Sequence, residues 1–366
     1  MQHRAKGLRY RTIWPDHLSD ELNAFEEHMD LNDDPIHDWV NQQIPEKLWH
    51  YTSVQGFQGI IGSGSIYATD VRFLNDIEEF IHARKVADEL VENSPEFGDF
   101  QFPLRTNLKW AVETIFGSDF LNPNSAQIFV ASFTDSEDDL SQWRGYSHGT
   151  YGISISFDLR VFRPPVDSDS AVTFAPCIYN DDEKKKFIQH ALHYFVNESQ
   201  TWWTNAAREF LKSVSGKAKP GLDQIAAFTN AVFSSAEFKA QLRIGLIEAR
   251  KRILRLAGLL KHRAFHHERE WRLVLPISPD KDKTNLIHPI RFRPTSAALV
   301  PYIAFPLGVV PASSDPAALP TAVLPINDVM LGPGASKDAE SAALAFLKSN
   351  SINAVPRLSD VPYRQV

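Results

Sequence analysis

The chain has 366 residues, 43% hydrophobic and 23% charged, enough to build one large domain or two small ones around a substantial core. Acidic residues outnumber basic ones, 45 to 38, and the net charge of −7 excludes a global electrostatic pull toward nucleic acid or membrane. The single cysteine, Cys177, excludes an intrachain disulfide and any multi-cysteine metal site.

No apolar run approaches the roughly 18 residues of a membrane span. The basic stretch Met1–Trp14 lacks an apolar segment, which with the cysteine usage leads to the expectation of a cytoplasmic protein with no membrane partner. Residues 1–45 read as an accessory segment, with a helix expected over Asp16–Met29 and a turn at Asp30–Pro35. Residues 46–366 read as a single α+β domain.

That domain opens on Leu48-Trp49-His50-Tyr51-Thr52-Ser53, a short buried strand carrying a histidine. A helix follows over Val54–Ile61, then a Gly-Ser break and a second strand, Ile66–Thr69. Asn75 and Asp76 precede a helix over Ile77–Val91. Asp76 with Glu79 forms a capping box, and the alternative is a direct ligand role. Leu104–Phe116 is a further helix and Ala126–Phe133 the clearest strand. An acidic loop leads to a helical turn, Leu140–Tyr146, holding Gln142, Trp143, Arg144 and Tyr146. A strand over Tyr151–Phe157 follows, with Gly152 and Ser154 small enough for close approach. Ser170–Tyr179 reads as another strand.

From about residue 181 to 263 the pattern is helical: Asp181–Asn197, Thr201–Val214, Leu222–Phe233 and Ala236–Arg263, the last with a basic face that is either solvated or an anion path. Strands follow at Glu270–Leu275, Ile290–Phe292, Tyr302–Phe305 and Ile326–Leu331. Gly332-Pro333-Gly334 and a helix over Lys337–Asn350 close the chain as an α/β unit, and free N–H groups at that turn could hold a phosphate.

Serine-hydrolase, P-loop and Rossmann readings fail for want of their glycine motifs. His262 and His266 have the four-residue spacing of helical metal ligands, with Glu268 and Glu270 nearby, but not the order of a metalloprotease. Glu270, flanked by Trp271, is a carboxylate either paired with Arg269 or Arg272 or placed at a cleft. Alternation puts Glu268, Glu270 and Arg272 on one face and Arg269, Trp271 and Leu273 on the other.

The ordered motifs Leu48-Trp-His-Tyr-Thr-Ser, Phe73-Leu-Asn-Asp, Ala131-Ser-Phe-Thr, Gln142-Trp-Arg-Gly-Tyr, Glu270-Trp-Arg and Ser359-Asp-Val-Pro-Tyr-Arg resemble a widespread bacterial family classed as a domain of unknown function. In that resemblance the helical stretch 181–261 is the least matched and looks like an insertion. The His-bearing strand, helix, glycine break and second strand are also similar to the start of ADP-ribosyltransferases and tRNA 2′-phosphotransferases. That resemblance implies an ADP-ribosyltransferase-like split mixed β-sheet with flanking helices. It implies NAD as substrate, with His50 and Thr52 at the ribose and Glu270, or Glu268, as the carboxylate that polarises it. Tyr146 and Tyr151 compete for the nicotinamide-stacking role, which Trp143 could also supply; Tyr51, Asn75 and Arg144 complete the expected cofactor-binding set. A carboxylate suits the oxocarbenium-like centre of glycosidic cleavage, and an aromatic face suits the planar leaving group. The expectation is therefore an enzyme that cleaves NAD and transfers ADP-ribose to a nucleic acid or protein, as a toxin or phage-defence effector. The alternatives are a non-catalytic nucleotide or nucleic-acid sensing module and a metal-dependent nuclease built on His262 and His266. The first reading requires His50 and Glu270 to share a cleft.

Overall fold

The computed structural model describes residues 35–74, 77–93, 104–116, 127–146, 151–158, 172–214, 222–277, 289–295, 298–307 and 324–362. The helix expected at 16–29 and the residues Asn75 and Asp76 lie outside them. The elements run α1 (Pro35–Val40), β1 (Leu48–Ser53), α2 (Val54–Ser63), β2 (Ser65–Asp70), a 3-10 turn (Val71–Phe73), α3 (Ile77–Asn93) and α4 (Leu104–Phe116). Then come β3 (Gln127–Thr134), α5 (Leu140–Tyr146), β4 (Gly152–Phe157), β5 (Thr173–Pro176), α6 (Asp181–Val214), α7 (Leu222–Ser234) and α8 (Ala236–Ala257). A second 3-10 turn (Arg263–Glu268), β6 (Glu270–Ile277), β7 (Ile290–Pro294), β8 (Leu299–Pro306), β9 (Ile326–Leu331), α9 (Lys337–Ser349) and β10 (Pro356–Leu358) complete the chain.

The fold is α+β around one mixed sheet of order β10-β9-β4-β1-β3-β2-β8-β7, with β6 along β3 and β5 along β6. Among the described strands β10 and β9 pair in parallel and the other strand pairs are antiparallel. β3 is the axis. Its full length pairs with β6, from Gln127↔Ile277 to Thr134↔Glu270. Its other edge is shared by two strands: β1 touches it only at Trp49↔Thr134, and β2 only at Thr69↔Val130 and Asp70↔Phe129. The sheet is therefore split, with β1 and β2 diverging from the β3 edge between those points.

Alternation along the strands gives the sheet two apolar faces. One carries Phe129, Ala131 and Phe133 with Trp271, Leu273 and Leu275, and packs under α2 and α9 through Phe57, Ile60, Ile61, Ala343 and Leu347. The other carries Ile128, Val130 and Val274 and packs under α3, α4, α6 and α8 through residues such as Ala87, Leu108, Ile188, Phe195 and Ile253. Helices of the 181–257 stretch thus form much of the layer covering that face.

Two helical expectations change. Asp181–Asn197 and Thr201–Val214 are one continuous helix, since Glu198-Ser199-Gln200 contains no residue that breaks one. The helix expected to run to Arg263 ends at Ala257. A Cβ at Gly258 would lie 2.4 Å from Val274 Cγ1, so the helix end is seated directly on β6 and the chain turns away there. Leu260 then bridges to Ile178, and residues 263–268 form a 3-10 turn.

Candidate functional site

A cavity of about 980 Å³ opens where α3, α5, the start of α6 and the 258–268 connection meet the β3–β6 ladder. Its wall includes Phe73 and Leu74, Ile81, His82 and Lys85 of α3, Gln142 and Tyr146 of α5, and Lys184 of α6. Lys261, His262, Phe265, Glu268 and Glu270 complete it. A narrow recess beside it is lined by Trp49, Tyr51, Thr134, Tyr146, Glu268 and Glu270.

Glu270 sits at the floor, 5% exposed. Arg272, two residues along the same face of β6, donates to its Oε1 at 2.8 Å and its Oε2 at 3.2 Å, and Lys261 donates to Oε2 as well. Burial alone would raise its pKa; the charges and hydrogen bonds of Arg272 and Lys261 outweigh that and pull it down to about 2. Both sequence readings of Glu270 therefore hold together: it is ion-paired with Arg272 and it lines a cleft. Arg269 pairs instead with Asp135, at 2.8 Å. Glu268 belongs to the 3-10 turn rather than to β6, yet faces the same cavity and accepts from Lys261 at 2.7 Å. The early end of α8 is what frees Lys261 from a helical face and turns it, 5% exposed, onto the two carboxylates.

Three lysines, Lys85, Lys184 and Lys261, share the cavity wall with these two glutamates. Lys184 is buried and donates to Asp181 at 2.9 Å. His82 lies 4.0 Å from the same carboxylate. Loss of solvation lowers its pKa, and the charge of Lys184 adds to that. Tyr146 leaves 39% of its surface exposed, but desolvation and the charge of Glu270 push its phenol up to about 12.

The expected site residues do not all gather here. Tyr146, Glu268 and Glu270 do. His50 does not: the register Trp49↔Thr134↔Glu270 sets Trp49 and Glu270 on one face, so alternation directs His50 to the other. Its ring lies against Phe133, 5.7 Å between centroids, and its Nδ1 donates to the Ser132 carbonyl at 2.8 Å where β1 leaves β3. Burial lowers its pKa, the Ser132 carbonyl opposes, and the charge of Arg293 adds to the lowering.

Thr52 stands against Gly56, where a Cβ would come within 2.1 Å of its hydroxyl, on the α2 side. Tyr51 is buried, accepting from the Asp139 amide at 3.0 Å and donating to the Ser136 carbonyl at 3.1 Å, so its hydroxyl holds the acidic loop. Trp143 is fully buried between Tyr51 and Gly332 with its indole N–H on Asp138, which leaves no face for stacking. The Gly332-Pro333-Gly334 turn is thus the seat of that ring. Arg144 is exposed and does not line the cavity; Tyr151 packs on the α2–α9 core.

The basic side of α8 is divided: Arg252 stacks on Tyr194 at 3.6 Å and Arg250 and Arg255 are half-buried, while Lys239, Arg243 and Lys251 are exposed. The ring of His262 accepts from the Ala264 amide and that of His266 bonds the Arg263 carbonyl. Among the described residues no group of three or more His, Cys, Asp or Glu could hold a metal ion. No helix among them is long and apolar enough to cross a membrane.

Sequence reasoning missed Lys85, Lys184 and His82. The signal available was their separation by three or four positions, or by the buried face of a helix, from residues bordering a motif, which is too weak to single them out.

Residues 142–273 match a family model described as "Protein of unknown function (DUF2971)". The match begins at the Gln142-Trp-Arg-Gly-Tyr motif, runs through the helical stretch that the motifs cover least, and ends just after Glu270-Trp-Arg. It contains Tyr146, Lys184, Lys261, Glu268 and Glu270, and so most of the polar wall of the cavity. No curated protein and no solved structure matches the chain.

Proposed function

We propose that the chain is a nucleotide-binding protein whose cavity above Glu270 takes a ligand carrying phosphate, ribose and base. The observation that carries this reading is the makeup of the cavity wall. Lys85 and Lys184, with His82 and His262, supply donors for phosphate; Glu268 supplies an acceptor for ribose hydroxyls; Phe73, Phe265 and Tyr146 supply apolar and aromatic surface for a base. A volume of about 980 Å³ is ample for a dinucleotide.

A second reading, transfer of ADP-ribose from NAD in the manner of ADP-ribosyltransferases, is favoured by one feature: an aromatic from the Gln142–Tyr146 motif and two carboxylates share the cavity. In it the carboxylate near the glycosidic centre is Glu268. Both oxygens of Glu270 are held by Arg272 and Lys261, so Glu270 serves to fix Lys261. His50 has no contact with the ligand in this arrangement.

Thermal-shift and calorimetric titration with NAD, ADP-ribose, ATP, AMP and inorganic phosphate tests the first reading. A ligand at 100 times its Kd stabilises the fold by about 2.7 kcal/mol. The expected result is such a shift for at least one nucleotide, reduced at least tenfold in affinity by Lys85→Ala or by Lys184→Met. Absence of any shift at millimolar nucleotide defeats the reading. Release of nicotinamide from NAD, lost in Glu268→Gln, would establish the second.

A further inference from the structure

We infer that Gln142, with Ser132, is the subsite that reads the edge of a nucleobase in the cavity. The inference rests on the nucleotide reading of that cavity and adds to it the residue that sets which base is taken.

Gln142 stands on α5 four residues before Tyr146, so the two are neighbours on one helix face. The backbone there is held firmly: Asp139 Oδ1 accepts from the amides of Ser141 and Gln142, and the indole of the adjoining Trp143 is fixed on Asp138. Gln142 is 9% exposed. Its side-chain amide makes no hydrogen bond to any described residue, and the side chain lines both the cavity and the narrow recess beside it. A buried amide without a partner is costly, and here the cavity is the place from which a partner can come.

Ser132 has the same character. The register Ser132↔Arg272, two residues from Thr134↔Glu270, sets it on the cavity face of β3. Its carbonyl accepts from His50, but its hydroxyl makes no hydrogen bond to a described residue. It lines the same two spaces as Gln142, and the recess, of only about 10 Å³, brings the two side chains close together. That recess is too small for a ring. A base therefore lies in the cavity proper, on the face of Tyr146, with its edge at Gln142 and Ser132.

A glutamine amide presents an N–H donor and a carbonyl acceptor side by side in one plane. Nucleobase edges carry a donor beside an acceptor in the same plane, and glutamine meets them through two parallel hydrogen bonds. Phosphate offers acceptors alone, so it satisfies only one end of the amide. Sequence motif and geometry agree on the residue, since Gln142 is the first member of Gln142-Trp-Arg-Gly-Tyr.

The test is calorimetric titration of the whole chain with AMP, GMP, CMP, UMP, ribose 5-phosphate and inorganic phosphate. The expected result is one nucleotide that binds at least tenfold tighter than ribose 5-phosphate. Gln142→Leu is expected to remove roughly tenfold or more of that margin, because a site built to hydrogen-bond a group loses most of its preference with the bond. The same variant leaves ribose 5-phosphate and phosphate within a factor of two. Ser132→Ala is expected to reduce the margin several-fold with the same selectivity. Without ligand, Gln142→Leu is expected to melt no lower than the unmodified chain, since no hydrogen bond within the protein is lost. Nucleotides that bind no tighter than ribose 5-phosphate, a margin unchanged in Gln142→Leu, equal losses for every ligand, or a lowered melting point in the ligand-free variant would each overturn the inference, the last by giving the amide a structural role. Nucleotide binding with an unchanged margin overturns this inference alone. Absence of binding by every ligand overturns it together with the nucleotide reading.

Discussion

Lys261 bonds Glu268 and Glu270 with one ammonium group, while Arg272 holds Glu270 from the other side. All but Glu268 are nearly sealed from solvent, so the cluster balances only as a whole. Glu270→Gln leaves two buried cations facing a neutral amide. Removing one partner of a buried pair costs about 3 kcal/mol or more, a fall in Tm of roughly 4 to 5 °C or more for a domain of this size. The pH dependence has a fixed sign. The folded pKa of Glu270 is depressed to about 2 from 4.5, so its contribution is complete above the ordinary carboxylate range and is lost as pH falls from 4.5 toward 2. Urea midpoints at pH 6 and pH 3 are expected to differ less in Glu270→Gln than in the unmodified chain.

Glu268 is the more exposed carboxylate; its Oε2 accepts from Lys261, while its backbone carbonyl accepts from the Thr134 hydroxyl. Glu268→Gln is expected to lower Tm less than Glu270→Gln does, since Glu268 is itself partly open to water and Lys261 keeps Glu270 as a partner. Its effect on binding is expected to be larger: at least a tenfold loss of affinity for a ribose-containing ligand and none for inorganic phosphate, read by calorimetry. Equal losses for both ligands would assign Glu268 to charge balance alone.

His50 makes one structural hydrogen bond, to the Ser132 carbonyl, in the wedge where β1 leaves β3. His50→Gln is expected to cost about 1 kcal/mol. Nucleotide affinity in the cavity stays within a factor of two of the unmodified chain. The fold favours the neutral ring, so the stability owed to His50 is complete above its ordinary pKa of 6.5 and declines as pH falls below it. A large affinity loss with unchanged Tm would return His50 to the ligand.

The local elements were legible because their signals are local. The strand–helix–strand opening and the Leu104–Phe116 helix follow from hydrophobic periodicity and glycine breaks, and Glu270–Arg272 pairing follows from alternation within one strand. What the sequence could not supply is register between distant strands. One β1–β3 contact, Trp49↔Thr134, decides that His50 and Glu270 point to opposite faces, and nothing in either segment encodes it. Trp143 and Arg144 stood together in one motif, yet one is sealed beneath Gly332 and the other is exposed. Lys261 read as part of a solvated helical face because the helix stop depends on how closely Gly258 meets Val274, a contact formed only in the fold.

His82 gives the cavity a pH response. Burial and the charge of Lys184 hold its pKa below 6.5, so the ring is neutral at pH 7, while Asp181 and Glu89 act against that and His262 with it. A bound phosphate would raise the pKa, so binding takes up a proton and affinity rises as pH falls from 8 to 6. Calorimetry in buffers of different ionisation enthalpy measures that uptake, and His82→Gln is expected to reduce it. A pH-independent affinity in the unmodified chain would remove His82 from the anion site.

The seat of α8 on β6 is testable by volume. A Cβ at Gly258 would lie 2.4 Å and 2.9 Å from the two γ-carbons of Val274, and Val274 is fully buried in a sheet strand with no room to yield. Gly258→Ala forces the helix end off the sheet, an overpacking cost of about 1 to 3 kcal/mol. The displacement also carries Lys261, three residues on, away from Glu268 and Glu270, so ligand affinity and stability fall together. Val274→Ala alone creates a cavity and destabilises the fold. Combined with Gly258→Ala it opens the space that the new methyl needs, and the double variant is expected to be more stable than the sum of the two single effects by about 1 kcal/mol or more. Strict additivity in a thermal-denaturation cycle would show that the contact does not fix where the helix stops, and that the placement of Lys261 has another cause.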